Sequence, residues 1–271
     1  MVREVKNVNI IRRELKSNFK SRIIWSVSMI LLIIAVFIEF SAFRDSPEIN
    51  DVLNSFPDSV LSALGMGDAD MTTLSGFLSL ISLYIYLPLS IHASLLGSSI
   101  ISKEERDKTA EFLFTLPVSR KKAIVNKIIS SILEVINLNF LTALTIVIMG
   151  LQHNPDGKFY KFLLLLFLGI FLTQLIFLSI GIFIASITKR YKKSGNISLT
   201  ILFVTYIISV LIGLTDKIDF LKYITPFEYF KSSYILENLE LQLVYIVISF
   251  IIISISMIGT FKVYPKRDLY I

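Results

Sequence analysis

The chain alternates between long apolar runs and short polar ones. Six apolar stretches stand out: Ile23–Phe43, Leu74–Ile101, Ile128–Leu151, Phe162–Thr188, Ile197–Leu214 and Leu243–Phe261. They run from 18 to 28 residues, and a helix of roughly 20 apolar residues crosses the hydrocarbon core of a bilayer. Of all the Asp, Glu, Lys and Arg residues, only Glu39 and Glu134 fall inside these stretches. The pattern predicts an all-α, polytopic membrane protein with six transmembrane helices in one domain spanning 1–271. Buried helices of a soluble protein are the alternative, but too little polar sequence remains to cover them.

Ahead of the first span, Val8, Ile11, Leu15 and Phe19 recur at helical spacing, which predicts an amphipathic helix over 1–22 lying in the membrane interface. Arg13, Lys16 and Lys20 flank that apolar face, and Arg12 sits at its edge, where it has to snorkel. The first span reads as retained rather than as a signal peptide: its basic flank is long, its apolar run exceeds an h-region and no A-x-A site follows. Trp25 suits an interfacial anchor. Pro88 predicts a kink or tilt in the long second span. Gly169 and Gly181, twelve residues apart, offer close helix approach without forming a GxxxG pair.

Between the second and third spans lies Ser102–Lys122, SKEERDKTAEFLFTLPVSRKK. On a helical projection Glu104, Asp107, Lys108 and Glu111 share an arc of about 100°, while Phe112, Leu113 and Leu116 share another. Pro117 stops this helix, and Ser119 is placed to cap the next. A short amphipathic helix at the membrane surface follows, with an apolar face for lipid or for a partner's groove.

Charge adds orientation. The chain has 271 residues, a net charge of +6 and no Cys, so disulfides and thiolate chemistry are excluded. Segments 1–22, 102–127, 189–196 and 262–271 hold 21 of the 27 Lys and Arg residues. Cytoplasmic loops carry that excess, so both termini are expected in the cytoplasm of a multi-pass cell-membrane protein. Asp45, Glu48, Asp51, Asp58, Asp68 and Asp70 crowd the opposite side. The basic balance is therefore a topology signal and not a nucleic-acid footprint.

The run Glu104-Glu105-x-x-x-Thr109-x-Glu111-Phe112-Leu113, followed by Leu116-Pro117-Val118-Ser119-Arg120, resembles the inner-loop signature of ABC-2 type permeases, the membrane subunits of ATP-driven exporters. Lys108 stands where that family commonly has Gly. Six spans, inward termini and an amphipathic N-terminal helix are similar too, as is Thr225-Pro226-Phe227-Glu228-Tyr229-Phe230 in the last outer loop. The resemblance implies that 102–122 is a coupling helix seated in a groove of a separate ATPase. Glu104, Glu105, Asp107, Thr109, Glu111, Phe112, Leu113, Leu116, Pro117, Ser119 and Arg120 would carry the coupling. Within it Glu111 and Arg120 would orient the loop, and Phe112 and Leu116 would anchor it. It further implies an ATPase dimer holding ATP and Mg, a second permease copy or paralogue, and efflux of amphipathic or hydrophobic cargo, a peptide ahead of a drug or lipid. Pro226, Phe227, Tyr229 and Phe230 would belong to short helices that re-enter the outer leaflet as an exit gate. An aromatic belt formed by the rings of this loop, Phe220, Tyr223 and Tyr234 among them, is the other reading.

No catalytic residue or cofactor of the chain's own is expected. A phosphate-cradling loop needs G-x-x-x-x-G-K-[ST], and the only Gly-Lys pair, Gly157-Lys158, has Gln152 and Phe159 at the flanking positions. An intramembrane metalloprotease would need Arg where Thr109 stands and three or four convergent metal ligands. A non-catalytic immunity or scaffold protein is the remaining alternative. Within the spans, Glu39 near the outer boundary reads as interfacial. Glu134 reads as an inter-subunit or lumen contact. His92 is close enough to Pro88 to reach a freed carbonyl. All three are candidates for the translocation path.

Overall fold

A computed structural model of the chain describes residues 2–44, 55–57, 60, 70–106, 119–188 and 191–266. Six long helices carry the apolar stretches: α2 (Phe19–Arg44), α3 (Leu74–Arg106), α4 (Arg120–Gly150), α5 (Phe159–Ile187), α6 (Tyr191–Leu214) and α9 (Leu243–Val263). A shorter helix, α1 (Val2–Ser17), precedes them, and two more, α7 (Pro226–Tyr229) and α8 (Ser232–Asn238), lie between α6 and α9. No strand occurs among the described residues. All six long helices are apolar enough to cross a membrane. Several overrun the apolar stretches that announce them, because a helix continues through its polar flanks at little cost. Thus α3 extends to Arg106 and α4 begins at Arg120.

The bundle is built around α3 and α5. Their apolar windows are 67% and 56% buried, against 17–33% for the other four long helices. Small residues let these two backbones meet. A Cβ at Gly181 would stand 2.6 Å from the Ser94 carbonyl oxygen, and one at Gly97 would collide with the Leu178 carbonyl. Such small-residue seams suit a bilayer, where packing replaces the hydrophobic drive between helices. Gly181, read from the sequence as a point of close approach, is one in fact.

Many hydroxyls along these helices are satisfied locally. Ser102 donates to the Ser98 carbonyl at 2.7 Å and Thr142 to the Leu138 carbonyl at 2.8 Å, the usual accommodation of buried Ser and Thr in helices. Asn139 Nδ2 donates to Gln174 Oε1 at 2.7 Å, and Gln174 Nε2 donates to the Leu89 carbonyl at 3.3 Å, so α4, α5 and α3 are bridged. The outward faces remain apolar: Leu31, Ile38, Phe140, Leu164, Ile207 and Ile255 are each exposed. A soluble monomer would not present such faces; lipid covers them.

Lys and Arg residues gather at one end of the bundle, where α1, the last turns of α3 and the first turns of α4 meet; this is called the basic end below. At the opposite end a short turn joins α4 to α5. There Asp156 Oδ1 accepts from both the Ser75 amide, at 3.2 Å, and its hydroxyl, at 2.6 Å.

The face of α1 that meets the bundle carries Ile10 and Glu14, both buried, while Ile11 and Leu15 are half-buried and Arg12 is exposed. The helix turns a carboxylate toward the bundle because two lysines wait for it there.

Candidate functional site

At the basic end the site begins with Glu14 of α1. Its side chain keeps 2% of its surface exposed, and its carboxylate lies 3.3 Å from Lys127 Nζ on α4, 3.5 Å from Lys103 Nζ on α3 and 3.2 Å from Arg13 Nη2. Lys127 is equally buried and donates to the Ile100 carbonyl at 2.7 Å. Lys103 also donates to Asn18 Oδ1 at 3.0 Å. Burial alone would raise the carboxyl's pKa, but the three neighbouring cations outweigh it and hold Glu14 below the ordinary carboxylate value of 4.5. Three helices are thus pinned through one carboxylate.

This pin sits at both roots of the segment that the sequence marks as a coupling loop. Lys103 lies three residues before the end of α3, and Lys127 lies two turns into α4. Ser119 caps α4, its hydroxyl oxygen accepting from the Lys122 amide at 3.3 Å. Arg120 Nη1 donates to the Pro265 carbonyl at 3.2 Å and so ties the start of α4 to the turn after α9. Glu104 and Glu105 fall in the last turn of α3. Asp107, Thr109, Glu111, Phe112, Leu113, Leu116 and Pro117 lie outside the described residues.

The three ionisable residues within spans separate. Glu39 is exposed on α2. Glu134 has a partner within the chain: its Oε2 lies 3.5 Å from Arg22 Nε, and Arg22 Nη2 also donates to the Leu15 carbonyl at 3.0 Å. An intramembrane carboxylate is here matched by an arginine from the next helix, as burial demands. His92 does not take up a carbonyl freed by Pro88. It stands edge-on to Trp25, ring centroids 5.2 Å apart, and its Nδ1 has no hydrogen-bond partner among the described residues.

At the opposite end α7 and α8 are wedged into the bundle. Tyr86 donates its hydroxyl to the Phe230 carbonyl at 2.8 Å, and Ser232 donates to the Ser79 carbonyl at 2.8 Å. Tyr86 is twelve residues into α3, which places this contact about 18 Å from the helix start at 1.5 Å per residue. Gly169 of α5 makes room, since a Cβ there would lie 2.7 Å from the Phe230 Cβ. Pro226, Phe227, Tyr229 and Phe230 are all buried, whereas Phe220 and Tyr223 are exposed. Glu228, also buried, accepts from the Ser209 hydroxyl and pairs with Lys231 at 2.7 Å. The loop therefore divides into a buried hairpin and an exposed aromatic rim.

Among the described residues no group of three His, Cys, Asp or Glu side chains is placed to hold a metal. Residues 8–269 match the model of the ABC-2 family transporter proteins. The chain belongs to that family. A comparison with curated proteins returns no match.

As an ABC-2 protein the chain is a multi-pass membrane component of an ABC transporter, and its family implies an ABC ATPase subunit as partner. The residues that sequence reasoning missed in this ABC-2 protein are Glu14, Arg22, Lys103 and Lys127. One signal was available: a Glu in the last turn of α1, at i+4 from the apolar Ile10, is costly on an inward face unless paired.

Proposed function

We propose that this chain is the permease half of an ATP-driven exporter, moving an amphipathic or hydrophobic cargo, a peptide foremost, outward across the cell membrane. ATP and Mg are held by a partner ATPase dimer, and a second permease, a copy or a paralogue, completes the pathway. The basic end faces the cytoplasm, in keeping with the Lys and Arg excess of its segments.

One observation carries this reading. Both roots of the 107–118 segment are bound to α1 through Glu14, Lys103 and Lys127. Force applied to the segment therefore reaches α1, α3 and α4 together instead of dissipating in a loose loop. The Ser119 cap and the Arg120 contact with the Pro265 carbonyl give α4 a fixed starting angle. Glu104, Glu105, Asp107, Thr109 and Glu111 supply polar contacts to a partner's rim, while Phe112, Leu113 and Leu116 supply an apolar anchor of the kind that dominates docking energies. Pro117 ends the docking helix. Cargo leaves past the hairpin of Pro226, Phe227, Tyr229 and Phe230.

The test is co-purification with an ATPase from the same cells. Phe112→Ala combined with Leu116→Ala abolishes recovery of the ATPase while membrane insertion is unchanged. Undiminished recovery of the ATPase with the double variant overturns the docking role.

A further inference from the structure

At the basic end, a cleft of about 450 Å³ lies between the elbow joining α1 to α2, the second half of α3 and the first turn of α6. Asn18, Lys20, Trp25, His92, Lys103 and Ser194 line it, together with further serines. No described lining residue is a carboxylate. Its volume falls within the range of small-molecule sites, about 300–1,000 Å³.

Two of these side chains are left with unanswered polar groups. Lys103 Nζ donates to Asn18 Oδ1. A lysine can only donate, so this contact fixes the amide: its oxygen faces Lys103 and its NH2 is turned away. That Nδ2 is buried and has no acceptor among the described residues. His92, 6% exposed in the middle of an apolar span, likewise leaves Nδ1 without a partner. Orphaned buried groups of this kind are rare and costly in native proteins. Lys20 adds an exposed ammonium, and the first turn of α6 brings the positive end of a helix dipole. The hydroxyls of Ser98 and Ser99 already donate to the Leu95 and Leu96 carbonyls, so they offer only acceptor oxygens.

From this excess of positive potential and unused donors we infer that the cleft binds a phosphate-ester anion. Ester oxygens accept from Asn18 Nδ2, Lys20 and the N–H of His92. Hydroxyls on the same ligand donate to the serine oxygens. Trp25, with its indole edge-on to His92, stands at the level where the apolar surface of α2 begins. Ile23, Ile24 and Val27 are exposed there. Two sources share this chemistry: the headgroup of an acidic phospholipid, its acyl chains along α2, or a soluble phosphate ester. The inference stands apart from the exporter reading, since changes at Phe112 and Leu116 leave the cleft intact.

The experiment uses the purified full-length chain. Native mass spectrometry titrates it with phosphatidylglycerol and, separately, with phosphatidylcholine; thermal shift measures its response to glycerol 3-phosphate in detergent. Phosphatidylglycerol binds in preference to phosphatidylcholine. Asn18→Asp, which keeps the oxygen that meets Lys103 but removes the donor, weakens that binding about tenfold, the scale of one charge-assisted hydrogen bond. Lys20→Gln does the same, whereas Lys158→Gln, with the same change of net charge at an exposed loop position, has no effect. Stabilisation by glycerol 3-phosphate with the same dependence on Asn18 and Lys20 assigns the site to a soluble ester. If Asn18→Asp does not fold, Lys20→Gln, at an exposed position, decides. Equal binding of the two lipids with no response to glycerol 3-phosphate leaves a water-filled cleft and overturns the inference. So does phosphatidylglycerol binding that neither variant weakens.

Discussion

Glu14 Oε1 and Lys127 Nζ meet at 3.3 Å between α1 and α4, each side chain with 2% of its surface exposed. This is a buried ion pair of the kind whose value lies less in net stability than in the cost of breaking it. Its placement makes α1 part of the bundle and not a helix merely resting on the membrane. It also joins the two helices on either side of the 107–118 segment, since Lys103 reaches the same carboxylate.

Removing one member of the pair is therefore costly. Glu14→Leu takes from the buried Lys127 its carboxylate partner, and loss of one partner of such a pair costs about 3–5 kcal/mol. Adding Lys127→Met to that background replaces a buried charge that has lost its carboxylate by an apolar side chain of similar length and recovers at least half of the loss. Thermal unfolding of the detergent-solubilised protein measures both. Strictly additive effects of the two substitutions would show that the residues are not coupled.

Acid acts on the same contact. Glu14 has its folded pKa below the ordinary value of 4.5: burial opposes ionisation, and Lys127, Lys103 and Arg13 overcome it. A carboxyl depressed in this way contributes stability that is fully present above the unfolded value and is lost as pH falls through the folded one. The protein is therefore expected to hold the α1 contact unchanged from neutrality to about pH 5, and to lose it progressively below 4.5. Glu14→Gln flattens that acid limb of the stability profile. An identical limb in the variant assigns it to other carboxylates.

The six spans were legible because a helix in hydrocarbon must be apolar along its whole length, and only Glu39 and Glu134 interrupt the runs. Ser119 was legible for a local reason, since a cap acts on amides three residues away. Glu14 was not. Its partner Lys127 is 113 residues distant in sequence, and a glutamate among basic neighbours reads as solvated. The spacing of Val8, Ile11, Leu15 and Phe19 marks a face for the membrane interface and says nothing of the neighbouring face through which Ile10 and Glu14 meet the bundle. Glu134 shows the same limit. Its type and depth were legible, and its partner, Arg22, was a matter of how α2 packs on α4. The outer aromatic loop could be read as gate or belt, and the division of the rings between both depends on Gly169, whose missing Cβ admits Phe230.

The close seam between α3 and α5 makes a sharp demand on Gly97. A Cβ there collides with the Leu178 backbone carbonyl, and backbone cannot yield as the end of a side chain can. Gly97→Ala is expected to destabilise the bundle by about 1–3 kcal/mol, the usual penalty of overpacking. Gly157→Ala, where nothing lies within 4 Å, is the control and leaves the unfolding temperature unchanged. Equal tolerance of the two substitutions would mean that the helices sit farther apart.

Orientation can be read directly because the chain has no Cys. Gly157→Cys puts one thiol on the exposed turn between α4 and α5, and Lys193→Cys puts one on the exposed start of α6. With the basic end in the cytoplasm, an impermeant maleimide labels intact cells at 157 and labels 193 only after permeabilisation. The reverse pattern would invert the topology and move the cleft beside Asn18 and Lys20 to the outer leaflet.

The buried hairpin yields the last prediction. Tyr86→Phe removes the donor to the Phe230 carbonyl and leaves that carbonyl buried without it, at a cost of about 1–3 kcal/mol. The loss falls on the contact that holds α7 and α8 between α3 and α5, and the hydrophobic body of the ring stays in place. The unfolding temperature therefore falls, and hydrogen exchange of the amides in 226–238 accelerates. If the hairpin closes the outward end of a pathway, loosening it alters efflux by the assembled transporter as well, without changing recovery of the ATPase. Ser232→Ala, which deletes the neighbouring bond to the Ser79 carbonyl, acts in the same direction and adds to it. Unchanged exchange in both variants would show that apolar packing of Phe227, Tyr229 and Phe230 alone retains the hairpin.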